Sequence, residues 1–225
     1  MKIFSTLLLG TALVSSANAT LVSGGSFAYG PATTEISHTG SLLKFDSTLG
    51  TLTGLSLTLD GNMSTTISLL NRAAQTQRVT ANSSGELDFS STIGVLDALI
   101  NLLGGAINLS VTTGPQFIAS GVTVVFGPLI DSDTFVLNSS NAGLLAGLSM
   151  AGGGNFDLSC NSLTGLGVVG GGGNISSTQV TTAGCGAQLT YEYTANPTVP
   201  EPGALALVGL ALMGLSLSRR FAKKA

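Results

Sequence analysis

The chain has 225 residues, of which 11 are acidic and 8 basic, for a net charge of −3. Charged residues make up 8% of it, against roughly 25% in an ordinary soluble protein, which argues against a cytosolic enzyme. Between Thr20 and Asn196 only Lys44, Arg72 and Arg78 are basic, against ten acids; a net of about −7 there repels a phosphate backbone and excludes a nucleic-acid partner.

Met1-Lys2 opens a basic start, residues 3–14 form an apolar run, and Ser15-Ser16-Ala17-Asn18-Ala19 follows. Small side chains at Ala17 and Ala19 are what a signal-peptidase pocket accepts. Residues 1–19 therefore read as a secretory signal peptide, helical in its apolar part and cut after Ala19. The mature chain then begins at Thr20, outside the cytoplasm.

Residues 20–195 read as one extracellular domain. Thr, Val, Ser, Asn and Gly fill most of it, a composition that fits pleated strands and tight turns. Leu55, Leu57 and Leu59 alternate with Ser56 and Thr58, Asp60-Gly61 is a strong turn dipeptide, and Met63, Thr65, Ile67 and Leu69 alternate beyond it. The expectation is a β-hairpin that turns at Asp60-Gly61. Further strands are expected at 78–81, 86–89, 107–112, 121–126, 134–137, 155–159, 177–182 and 188–194, with Gly-Pro and Asn-Ser pairs breaking them. Ile93, Leu96, Leu99, Ile100 and Leu103 follow a helical spacing and predict a short helix over 93–103. Strands at intervals of about ten residues predict an all-β fold, an antiparallel β-sandwich that is Ig-like or jelly-roll-like.

Chemistry is sparse in this domain. His38 is the one histidine; it lies in a polar Ser-His-Thr-Gly stretch, and neither cysteine nor any serine has a recognisable nucleophile setting around it. Gly165-Leu166-Gly167-Val168-Val169-Gly170 fits the dinucleotide-binding spacing, but that fingerprint needs a strand before it and a helix opening on it. Asp131-Ser132-Asp133 and Glu86-Leu87-Asp88 each place two carboxylates on one face of an extended strand. Such pairs ligate Ca²⁺ or act as a glycosidase acid and base, although most are solvated edge-strand acids. Asp131 and Asp133 are the calcium candidates; Glu86 and Asp133 are the ones a hydrolase would need. No metal or other cofactor is otherwise implied. Asn62, Asn82, Asn108, Asn138 and Asn174 each begin an N-x-Ser sequon, as expected by chance where Asn and Ser are abundant. Cys160 and Cys185 are an even pair in an exported chain and predict a disulfide, the competing reading being two thiols in a metal site.

Beyond a linker at 196–202 that carries Val199-Pro200-Glu201-Pro202, residues 203–218 hold no charge. As a helix they rise about 24 Å, slightly short of a ~30 Å hydrocarbon core that Phe221 and snorkelling basic side chains can complete. Arg219, Arg220, Lys223 and Lys224 form a basic tail at 219–225, which places the tail in the cytoplasm and the domain outside. A transmembrane helix at 203–218 is the expectation. In this order, motif, apolar span and basic cluster resemble the PEP-CTERM sorting domain of exported bacterial proteins. Pro200, Glu201 and Pro202 match its motif, and Arg219 and Arg220 its basic stop. The resemblance implies recognition by an exosortase, a membrane-embedded cysteine transpeptidase. It further implies cleavage near the motif and delivery to the cell surface or extracellular matrix of a Gram-negative-type bacterium that makes exopolysaccharide.

A second resemblance lies in the domain. Leu43-Lys44-Phe45-Asp46-Ser47-Thr48-Leu49-Gly50-Thr51-Leu52 and the closing Leu189-Thr190-Tyr191-Glu192-Tyr193-Thr194 are similar to the choice-of-anchor E domain, over about residues 23–194. It implies an extracellular domain without assigned activity. The expectation is thus a non-enzymatic exported surface protein whose processing enzymes are signal peptidase and exosortase, associated with exopolysaccharide. The alternatives are a carbohydrate- or calcium-binding adhesive module and a secreted polysaccharide hydrolase.

Overall fold

Strand after strand, the chain keeps one parity for its apolar residues over lengths well beyond those expected. In the computed structural model, which describes residues 19–196 and 208–213, a single strand runs from Gly50 to Asn71, 22 residues, with the odd positions from Leu55 onward buried. The hairpin expected at Asp60-Gly61 does not form. Asp60 and Gly61 lie in mid-strand, paired with Thr134 and Asp133. Parity explains the correction. A two-residue turn there pairs residue 59 with 62 and would put 62, 64, 66 and 68 on the core face. Those positions are Asn62, Ser64, Thr66 and Ser68, whereas Met63, Ile67 and Leu69 keep the parity of Leu59. Gly61 serves close packing, since a Cβ there would strike Leu87 and lie 3.0 Å from Ile107 Cγ2.

The strands build two sheets. One has the order β1 (Ala19–Thr33), β11 (Ile175–Ala195), β4 (Gly50–Asn71), β8 (Thr123–Ser139). The other has the order β2 (Ser37–Leu43), β10 (Asn155–Gly170), β5 (Gln77–Ser91), β6 (Ile107–Thr112), with β7 (Gln116–Ile118) also on β5. β1–β11, β4–β8, β10–β2, β10–β5, β5–β6 and β5–β7 are antiparallel, as expected of the sandwich. The exception is a small parallel pair, β3 (Phe45–Asp46) with β9 (Ser149–Met150). Expected neighbours fuse: 78–81 with 86–89 into β5, 121–126 with 134–137 into β8, and 177–182 with 188–194 into β11. Gly127-Pro128 does not end β8. A register shift opposite Thr65 and Ile67 absorbs it, and β8 is an edge strand, where a missing N–H is tolerated.

The predicted helix is present as α1 (Gly94–Leu102), with Leu96 and Ile100 buried. Asp97 turns back to accept the Ser91 N–H at 3.0 Å, and Gly105 N–H reaches the Ile100 carbonyl at 2.8 Å, closing both ends. A second helix, α2 (Ala142–Leu148), was not expected. Asn141 caps it by accepting the Leu144 N–H at 3.1 Å, and Leu144, Leu145 and Leu148 bury its inner face. β1 and β2 were likewise outside the expected strands. At the far end Gly170, Gly171, Gly172 and Gly173 all take positive φ, 94°, 69°, 54° and 80°. That run of left-handed residues, open to glycine alone at little cost, carries the chain from β10 into β11. It follows a strand and opens no long helix, unlike a dinucleotide-binding loop.

Two apolar clusters fill the space between the sheets. The larger includes Leu57, Leu59, Phe89, Leu158, Leu189 and Tyr191; the smaller holds Ile67, Leu69, Val79, Ala81 and Ile118. Buried polar side chains accompany them. Thr65 and Thr181 share a 3.0 Å hydroxyl hydrogen bond, and Ser162 Oγ accepts the Ile36 N–H at 2.9 Å. Ser83 Oγ, also buried, has no hydrogen-bond partner among the described residues.

Candidate functional site

The sorting residues Val199, Pro200, Glu201 and Pro202, the basic stop Arg219, Arg220, Lys223 and Lys224, and Ala17 of the cleavage signal lie outside the described residues. So does most of the expected transmembrane span; residues 208–213 of it are helical. Among the described residues no helix is long and apolar enough to cross a membrane.

Ala19 begins β1 and pairs with Thr194; Thr20 pairs with Tyr193 and Leu21 with Glu192. The first and last strands of the domain Ala19–Thr194 are therefore neighbours, and its two ends meet at one end of one sheet.

Close to that end sits a clasp built from the Phe45-Asp46 segment. Phe45 is buried, with ring contacts to Tyr191 and Tyr193 at centroid distances of 5.9 and 5.2 Å. Asp46 Oδ1 accepts the Thr48 N–H at 2.9 Å, the Thr48 hydroxyl at 2.8 Å and the Gly152 N–H at 2.9 Å. The Thr48 backbone hydrogen bond, then its hydroxyl, then Gly152 hold the carboxyl below its ordinary value. Lys44 N–H donates to the Gly154 carbonyl at 2.8 Å, so the glycine loop after β9 is tied down from both sides. A cleft of about 270 Å³ lies alongside, lined by Leu43, Lys44, Phe45, Leu49 and Tyr191 among others. In the sequence the clasp shows only as the Phe45-Asp46 segment; the loop it grips is about a hundred residues downstream, at Gly152.

Cys160 and Cys185 form the expected disulfide, 25 residues apart with Cα atoms 6.7 Å apart. It joins β10 to β11 and thereby one sheet to the other. Beside it, Cys160 pairs with His38 on β2 and Cys185 with Tyr29 on β1. The Tyr29 and His38 rings stack at 4.4 Å, so the single histidine is occupied in a contact that repeats the link between sheets.

The sheet edges are sealed by side chains from the facing sheet. Tyr29 Oη donates to the Thr39 carbonyl at 2.6 Å, and Tyr191 Oη to the Leu43 carbonyl at 2.7 Å, both on the edge strand β2. Burial pushes the Tyr191 phenol well above its ordinary range. At the opposite edge Asp131 Oδ2 accepts the Ser110 N–H of β6 at 2.7 Å. Asp131 Oδ1 and Asp133 Oδ1 take the N–H groups of Ser132 and Thr134 at 3.0 and 2.8 Å. The two calcium candidates thus share one side of β8, and their carboxylates cap edge backbone, a recognised way to blunt a strand edge. Among the described residues no three His, Cys, Asp or Glu gather as a metal group would. Glu86 and Asp88 lie exposed on the outer face of β5.

Residues 198–220 match the PEP-CTERM protein-sorting motif. That match marks an exported cell-surface protein processed by an exosortase, and it covers the tail rather than the domain. Among curated proteins none matches the chain. Solved structures with some likeness to it include the infectious bursal disease virus Gx strain, at 14% identity over 93% of this chain and 52% of that one, TM-score 0.18. Desmodium yellow mottle tymovirus gives 8% identity over 89% and 97%, TM-score 0.23, and Mud Crab Dicistrovirus 10% over 89% and 85%, TM-score 0.20. The chain spans about half the length of the first of these. Scores this low add nothing to the fold read from its own strands.

Proposed function

We propose that this chain is a non-enzymatic surface or matrix protein, delivered as a disulfide-locked sandwich of the choice-of-anchor E kind to an exopolysaccharide-bearing envelope. The observation that carries the reading is the sorting motif at 198–220. In it, signal peptidase removes residues 1–19, the apolar span 203–218 holds the chain in the inner membrane with its basic tail inside, and exosortase cuts near Glu201. Pairing of β1 with β11 supports the site of the first cut: cleavage after Ala19 sacrifices one ladder pair, Ala19 with Thr194, and leaves Thr20 with Tyr193 in place. The sealed edges support a passive role, since they keep an exported, sparsely charged sandwich from pairing with stray strands.

The test is the mass of the protein recovered from producing cells. Ends near Thr20 and Pro200, with the C-terminal trimming lost in Glu201→Ala or in cells lacking exosortase, are the expected result. A retained 219–225 tail in wild-type cells refutes transient anchoring. The calcium-binding adhesive alternative rests on Asp131 and Asp133, and a melting temperature that rises at millimolar Ca²⁺ and not in Asp133→Asn would favour it.

A further inference from the structure

Charge is distributed along the strands in a way that composition alone conceals. Residues 66–81, 117–129 and 166–180, the segments that build the smaller apolar cluster, contain no acid. Arg72 and Arg78 lie there; all ten acids of the domain lie in the remainder. On the outer face of the five-stranded sheet this polarity becomes a pattern. Arg78 pairs with Phe117, which is 73% exposed, an unusual setting for an aromatic. Along the same face of β5 lie Thr80, Asn82, Ser84, Glu86 and Asp88, the even positions. Glu86 pairs with Leu163 on one side and Asn108 on the other, and together with Gly165 they line a shallow groove of about 480 Å³.

We propose that two copies of this chain associate through this face, related by a two-fold axis that crosses β5 at Asn82. An axis lying between the faces and perpendicular to the strands reverses each strand and keeps its column. Arg78 of each copy then meets Glu86 of the other, twice, the reciprocity of an isologous interface. The apolar rows fit the same operation. Val169 is opposite Thr80 and Gly165 opposite Ser84, so reversal sets exposed Val169 over the gap left by Gly165 of the second copy. Gly167, opposite Asn82, falls on the axis and faces its own counterpart, where the absence of a side chain allows the sheets to approach. Phe117 enters the groove at the Asn108 side. Opposite charges at matching distances from the axis and small residues at its centre favour a second copy over an acidic polymer, which the rest of this acidic face repels. Three strands by about 40 Å bury roughly 1,100 Å² in total, the low end of specific interfaces, so the dimer is expected to be micromolar and salt-sensitive.

Sedimentation of the full-length chain in a non-associating detergent, from about 1 to about 200 µM, reads the equilibrium directly. A monomer–dimer transition with Kd on the order of 10 µM is expected, weakened at least about tenfold by Arg78→Glu or by Glu86→Arg. The double reversal, Arg78→Glu with Glu86→Arg, restores it to within about threefold, because each copy again presents complementary charges. Gly167→Leu abolishes the dimer without lowering the melting temperature, since a Cβ there meets only Asn82 O at 3.9 Å within the monomer. A wild-type chain that stays monomeric across the range overturns the proposal. So does a double reversal as weak as either single change, dimerisation indifferent to Gly167→Leu, or Arg78-dependent binding of an acidic polysaccharide by a monomer.

Discussion

Leu57 and Ile67 are both fully buried on the same face of β4, yet they belong to different apolar clusters. Around Leu57 the sandwich is broad: both helices, the Phe45 clasp, the disulfide and the Tyr29–His38 stack all join it. Around Ile67 the cluster is small, the ladders of β1 and β4 both shift register nearby, and the turn that closes it is four glycines. Charge follows the same division, acids on the first part and Arg72 and Arg78 on the second. One continuous set of strands thus carries two cores of unequal depth, with the buried Thr65–Thr181 hydrogen bond where they adjoin.

Breaking the disulfide is the most severe way to erase that contrast. Replacing Cys160 and Cys185 by Ala is expected to cost about 3.5 kcal/mol for a loop of 25 residues, read as a lower urea midpoint at unchanged fold. Hydrogen exchange should show the loss on β10 and β11 around the bridge first. A smaller cost is expected where the cores adjoin. Thr65→Val removes one hydroxyl of the Thr65–Thr181 pair and strands the other, for about 1–3 kcal/mol by chemical denaturation.

Ser83 sharpens the comparison because the sign reverses. Its hydroxyl is buried without a hydrogen-bond partner among the described residues, so Ser83→Ala is expected to be neutral or to stabilise by up to about 1 kcal/mol. A loss above that in the same denaturation experiment would show the hydroxyl to be engaged. The mildest effects come from pH, and both fall on the broad end. The folded Tyr191 phenol titrates above its ordinary 10.0, so its contribution is complete below pH 10 and fades as the unfolded chain ionises above that. Asp46 titrates below its ordinary 3.8, so its contribution is present above that pH and is lost as pH falls through the lowered value. Melting temperature against pH checks both, and Tyr191→Phe should flatten the alkaline limb alone.

How much of this was legible beforehand varies by element, and the reason is the range of the interaction. α1 was readable because Leu96 and Ile100 repeat at helical spacing within one segment. α2 was not, because two glycines lower its propensity and its stability comes from burying Leu144, Leu145 and Leu148 against distant strands. The Asp60-Gly61 hairpin misled for a different reason. The dipeptide is a turn signal when nothing opposes it, but an unbroken parity from Leu55 to Asn71 and the packing of Leu87 and Ile107 over Gly61 oppose it here. Asp131 and Asp133 were recognisable as a pair, while their use in sealing an edge depends on β6 lying across the gap.

By itself the sequence determined what short-range chemistry can express: strand parity, one helix, an even pair of cysteines in an exported chain, and a tail whose Pro-Glu-Pro motif, apolar run and basic end occur in order. Those patterns depend on neighbours within a few residues, or on enzymes that read the chain locally. Tertiary structure alone decided which strands became one, that β1 would close on β11, that Asp46 would hold a loop at Gly152, and that two tyrosines would satisfy the edge of β2. Each of these joins residues far apart in the chain. Their stability comes from backbone groups and side chains that meet only once both sheets are in place.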